Sequence, residues 1–231
     1  MKTRPYHHGD LRAALLTHAE QTLRTKGPGA LSLRELAREA GVSPAAPSRH
    51  FTSKQALLDA LALEGHERLA TAMTEALERA DGSFADRLAA LAGAYVGFAT
   101  ANAALLDLMY SFKHDTTASE QLIAAKQRLE TLTMELIEHG QRRGEVRAGP
   151  VDRVSLPVIA TLQGLGALAV SGAIPAEQIE RSLGDTIAFI LRGSAPPAAD
   201  TPSGPAASIP GGRPPQTPGR PPRRPGSGRA R

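Results

Sequence analysis

Between Asp10 and Leu191 the apolar residues recur at the three- and four-residue spacings of amphipathic helices, and no segment alternates with a strand period. Asp10 to about Thr25 puts Leu11, Ala14, Leu15, Ala19, Thr22 and Leu23 on one face, and Lys26-Gly27-Pro28-Gly29 ends it. Leu33, Leu36, Ala37 and Ala40 form the next face, with Arg34, Arg38 and Glu39 turned outward. After a second short helix from Ser43, a long one opens at Thr52, carries Leu57, Leu61, Leu69, Met73 and Leu77, and breaks at Asp81-Gly82-Ser83. Further helical stretches cover about 84–100, 103–113, 117–140, 152–171 and 176–191. The pattern predicts an all-α fold of about nine helices.

The segment from Ser32 to Phe51 has its boundaries spelled out. Ser32 and Glu35 have capping-box spacing, as do Thr52/Gln55 and Thr117/Glu120. Gly41 stands where a left-handed residue best ends a helix, and Ser43-Pro44 reads as an N-cap followed by proline at the first helical position. Two short helices around such a turn match a helix-turn-helix, whose second helix enters the DNA major groove. An ordinary helical hairpin needs the same caps. The second helix decides against that reading, because Ala45, Ala46, Ser48, Arg49 and His50 are poor core material and good groove material.

Charge divides the 231-residue chain in the same sense. Residues 1–58 hold nine Lys/Arg against four Asp/Glu, residues 59–192 twelve against eighteen, and residues 193–231 six arginines against Asp200 alone. A basic head on an acidic body suits a protein that binds a polyanion at one end. The last 39 residues contain eleven prolines and seven glycines and predict a solvated, disordered tail; the alternative reading is that its arginines add nonspecific attraction for DNA. There is no cysteine, which removes disulfides and thiolate metal sites and suits a reducing cytoplasm. MKTRPYHHGD lacks the apolar core of a signal peptide, and Val151–Ile174, interrupted by Pro157, Gly164, Gly166 and Gly172, reads as too broken for a membrane span. His7 and His8 are adjacent and the other five histidines are scattered, so no metal site is expected; nor is a cofactor or a catalytic residue, since no nucleophile elbow, phosphate loop or zinc-protease motif occurs.

YHHGDLRAALL, GALSLRELAREAGVSPAA, RHF and SKQALLDAL are wording by which the chain resembles the TetR/AcrR family of bacterial transcriptional regulators, residue by residue over about His7 to Leu63 and in architecture beyond. The resemblance implies a homodimer with a DNA-binding domain over 1–53, a ligand-binding and dimerisation domain over 54–192, and repression of a double-stranded DNA operator that is relieved by a small-molecule effector. It implies a recognition helix over Ser43–His50, with Ala45, Ala46, Ser48 and Arg49 nearest base edges and His50 and Lys54 on phosphate. Ser32 and Arg34 would clamp the flanking backbone, and Lys2 and Arg4 would form an arm. Family members generally carry tyrosine where this chain has Ser48, and Pro47 stands inside the recognition helix. Serine has shorter reach and no stacking surface, which shifts phosphate clamping toward His50 and Lys54.

In the body, Tyr95, Phe98, Met109, Tyr110, Phe112, His114 and Gln163 lie among apolar residues and are candidates for a mostly apolar ligand pocket. The last two helices fit a dimer interface: TLQGLGALAVSG allows close approach, opposite a stripe of Ile179, Leu183, Ile187, Ile190 and Leu191. The alternative is a nonspecific architectural DNA-binding protein driven by the charge of head and tail.

Overall fold

The helical periods close into eight α-helices among the described residues of this computed structural model, which are 8–111 and 119–197, with side chains from Leu11 onward apart from that of Ala176. They are α1 (His8–Lys26), α2 (Leu33–Glu39), α3 (Lys54–Arg79), α4 (Phe84–Ala101), α5 (Ala103–Ser111), α6 (Glu120–Arg142), α7 (Val151–Val170) and α8 (Ala176–Ser194). No strand occurs among the described residues. Lys2, Arg4, Phe112, His114 and the tail from 198 onward lie outside the described residues.

The ninth expected helix, over Ser43–His50, is instead a turn followed by a 3-10 turn at Pro47–Arg49. Proline has no N–H to give the Ser43 carbonyl, so that carbonyl takes the Ala46 N–H at 2.9 Å, one residue short of an α-helical bond. The Arg49 N–H likewise donates to Ala46 at 3.2 Å. The Pro47 ring is buried, which holds the tighter winding in place. Gly41 behaves as expected: with φ 68° it lets the Val42 N–H donate back to the Ala37 carbonyl at 2.9 Å, closing the helix end.

The caps differ from their spacing in the sequence. Ser32 makes no side-chain cap, and the Glu35 carboxylate pairs with Arg38 one turn on instead of returning to the Ser32 N–H. Ser53 rather than Thr52 caps α3, its hydroxyl accepting the Ala56 N–H at 3.1 Å, while Gln55 turns to Asp59. Ser119 caps α6 by accepting the Leu122 N–H, and Thr117 lies outside the described residues. The reciprocal capping box that does form is Ser83/Asp86 at the start of α4, inside a stretch that reads as a helix breaker.

Leu11, Leu15, Leu23, Leu36 and Phe51 make the head end of one continuous core that runs through α3 into Leu88, Leu91, Leu106, Leu136 and Ile137 of the body. Each such buried leucine stabilises the fold by roughly 1.5–3 kcal/mol. α3 is the shared beam, packed on α1 at one end and on α4, α5 and α6 at the other. α7 runs unbroken through Pro157, Gly164 and Gly166, and on length and composition alone it is apolar enough to cross a membrane. Val154, Val158, Leu162 and Leu165 on its inner face pack into the core beside α4 and α6. α8 runs past the expected start of the tail: Ser194 is buried, and its carbonyl accepts the Arg147 N–H at 2.8 Å.

Candidate nucleic-acid interface and ligand cavity

The helix-turn-helix brings most of its expected contact residues to the surface. Ser32, Arg34, Ser43, Ala45, Ser48, Arg49 and Lys54 are exposed, and Ala46 is half-buried. Beneath them Phe51 is buried under the Arg12 guanidinium, 5.6 Å from the ring centroid, which anchors the segment to α1. Lys54 donates to the Gly29 carbonyl at 3.1 Å, bracing the start of α3 against the turn before α2. His50 is half-buried, and its Nε2 points inward without a partner, so only the remainder of the ring is open to an approaching phosphate.

In the body a cavity of about 100 Å³ lies between α3, α4, α5, α6 and α7. Tyr95, Met109, Tyr110 and Gln163 line it as expected; Phe98 does not, lying instead beneath Arg68 with 5.9 Å from the guanidinium to its ring. The Tyr95 and Tyr110 hydroxyls share a hydrogen bond, and burial pushes both phenols up, so they stay protonated. Gly166 makes room for this pair, because a β-carbon there would fall on the Tyr95 hydroxyl. The polar members that the sequence reading missed are His66 on α3 and Lys126, Glu130 and Thr133 on α6. Burial and then the Lys126 ammonium push the His66 imidazole down to about 4, so it is neutral at pH 7. Among the described residues no three His, Asp or Glu side chains gather as a metal site.

Residues 15–61 match the bacterial regulatory proteins of the tetR family, and residues 88–190 match the tetracyclin repressor-like C-terminal domain. A protein of unknown function from Rhodococcus sp. RHA1 is 44% identical, aligning over 84% of this chain and 100% of its own with a TM-score of 0.75. The chain belongs to the tetR family. The tetR-family transcriptional regulator PfmR from Thermus thermophilus is 25% identical over 77% of this chain and 97% of its own, with a TM-score of 0.62. A tetR-family regulatory protein from Rhodococcus RHA1, 23% identical over 78% and 96% of the two chains at a TM-score of 0.61, shares the fold. No protein of curated function matches the chain.

Within this tetR fold, one side chain joins head to body. Arg68 on α3 donates to both carboxylate oxygens of Glu20 on α1, at 2.8 and 2.9 Å, and to Asn102 at 2.9 Å. Asn102 stands at the 100° bend between α4 and α5, and the other end of α5 carries the cavity residues Met109 and Tyr110. On the outer faces of α7 and α8, Leu156 is 65% exposed, Phe189 62% and Leu168 40%. Of the sequence stripe of α8, Ile179 and Ile190 are buried against the body, while Leu183, Ile187 and Leu191 are half-buried.

Proposed function

We propose that this tetR-family regulator is a homodimeric repressor that binds a pseudopalindromic operator and releases it when a small molecule fills the body cavity. The observation that carries this reading is the sharing of α5. Its C-terminal half lines the cavity, and the bend at its N-terminus holds the Arg68 bridge to Glu20 on α1. A molecule that displaced Met109 and Tyr110 would load that bend, and through Arg68 it would tilt the helix on which Phe51 and the turn segment rest. The change in operator affinity equals the difference in ligand affinity between the two arrangements.

Ser43, Ala45, Ala46, Ser48 and Arg49 would face the major groove, with Ser32, Arg34, His50 and Lys54 on the phosphates. Arg49 is the residue with reach and donors for guanine. The exposed leucines of α7 and Phe189 of α8 supply the surface that a second copy would cover, giving a four-helix contact with two-fold symmetry. The test is selection of bound DNA from a random pool by the full chain, with its mass in solution measured alongside. Enriched inverted half-sites about one helical turn apart, on the order of 34–36 Å, are expected from a dimer. A pool that stays random, with binding lost on removal of 198–231, would instead identify a charge-driven architectural protein. A monomer at micromolar concentration would refute the dimer.

A further inference from the structure

His66 is the polar side chain whose chemistry the packing leaves unanswered. It is 6% exposed and part of the cavity wall, and neither ring nitrogen has a hydrogen-bond partner among the described residues. Leaving a donor and an acceptor buried and unpaired lowers stability, and an apolar residue of similar size would avoid that cost. The same wall holds the Lys126 ammonium, which has no ion-pair partner among the described residues. Most of the remaining lining is leucine, isoleucine and methionine.

Resting on the reading of this cavity as an effector site, we propose that its effector is a compact, largely hydrocarbon carboxylic acid whose carboxylate sits between the His66 ring N–H and the Lys126 ammonium. Size limits the guest: about 100 Å³ is below the roughly 150 Å³ of an apolar cavity that takes up benzene, so a short branched chain is the scale that fits, and a single small ring enters only with the displacement of Met109 and Tyr110. Charge supports the assignment. A cationic guest would meet Lys126, and a neutral one would leave that ammonium uncompensated. A carboxylate offers acceptors to both groups in a short, charge-assisted geometry.

The other ionisable groups around His66 are compatible with an anion there. Tyr95 on α4 and Tyr110 on α5 are protonated and add no negative charge. Glu130, one turn beyond Lys126 on α6, is exposed, where water screens it. Glu67 on α3 and Arg128 on α6 face the groove on the other side of His66. A bound carboxylate favours the imidazolium and raises the imidazole from about 4, so binding takes up a proton and tightens as the pH falls through that raised value.

The experiment is calorimetric titration of the full chain with benzoate, cyclohexanecarboxylate and 3-methylbutanoate, each against its uncharged amide, and with benzylamine. At least one acid is expected to bind tenfold or more tightly than its amide, with proton uptake on binding and no detectable binding of benzylamine. Lys126→Met should abolish the preference for the acid and Lys126→Arg should restore it. In the complex the His66 ring C–H resonance should titrate at least one pH unit higher than in the free chain. If no acid outbinds its amide, or if Lys126→Met keeps the preference, the acid assignment is overturned. Release of selected DNA by an uncharged compound would overturn it equally, while leaving the regulator reading intact. A random pool that stays unenriched is the separate sign that the regulator reading has failed.

Discussion

The DNA-contact head and the cavity body place their functional side chains in opposite ways. In the head, the candidate contacts among the described residues fall between positions 32 and 54 and nearly all are exposed, on a scaffold whose core residues are others: Leu36, Phe51 and Leu57. In the body, the cavity wall is assembled from five helices between His66 and Gln163, and most of its polar members are buried or half-buried. Exposed contact residues cost the fold little, so the head can change what it reads without changing its stability. A buried polar group that the packing leaves unpaired lowers stability unless something binds it. The comparison separates a surface that carries specificity cheaply from an interior where specificity and stability draw on the same residues.

The largest test of that contrast is acid. The His66 imidazole is held at about 4 in the fold by burial and by Lys126, against an ordinary value of 6.5. Above 6.5 both states are neutral and the shift has no effect. Between 6.5 and 4 the unfolded chain takes up a proton that the folded chain refuses, so stability falls as the pH falls and levels off below 4. The loss attributable to this one group reaches about 3 kcal/mol. Urea unfolding at pH 7, 5.5 and 4 should show a slope that His66→Leu flattens; an unchanged slope would remove His66 from the interior side of the comparison.

Arg49→Ala should do the reverse. Selected DNA should bind about 10- to 100-fold more weakly, a loss of roughly 1–3 kcal/mol, while the unfolding midpoint stays within about 0.5 kcal/mol of the parent. Equal DNA affinity in a gel-shift titration would take Arg49 off the contact face.

Arg68→Met probes the join between the two regions. Removing the Glu20 and Asn102 hydrogen bonds should leave ligand and DNA affinities each near the parental values, yet shrink the effect of one on the other by about 0.5–2 kcal/mol. Full ligand-induced release in this variant would place the coupling elsewhere. The smallest effect expected is a gain: Ser48→Tyr adds a longer hydroxyl and a ring at an exposed position, for about 1 kcal/mol of tighter DNA binding. Weaker binding would mean that the 3-10 turn at Pro47 already sets the backbone too close to the groove for a larger side chain.

The head was legible because its signals are local. The apolar period of Leu33, Leu36 and Ala37, the turn at Gly41 and the basic, small-residue segment after it each involve residues a few positions apart, and Gly41 has the positive φ its place requires. Even there the caps slipped, since a Ser/Glu pair at capping distance forms no box when Arg38 competes for the glutamate. Pro47 was visible, and the missing N–H that turns the Ser43 carbonyl to Ala46 is local, but the burial of its ring, which holds the tighter winding, is not a local property.

Of the cavity, Tyr95, Met109, Tyr110 and Gln163 could be picked out as polar, aromatic or sulfur side chains set in apolar runs. His66, Lys126 and Glu130 could not, because each sits in a stretch rich in charge and reads as the solvent face of its helix. Phe98 was picked out by the same rule and proved to be the platform for Arg68 instead.

Sequence alone determined the helical class, the positions of most helix boundaries to within a few residues, and the head as a basic helix-turn-helix. These follow from backbone propensity and amphipathic period, which act over one or two turns of chain. Tertiary structure decided which histidine is buried, which tyrosines meet, and that Arg68 spans 48 positions to Glu20 and 34 to Asn102. Such pairings come from the crossing of helices packed around a shared core, and no spacing along one helix records which residue of another will lie against it.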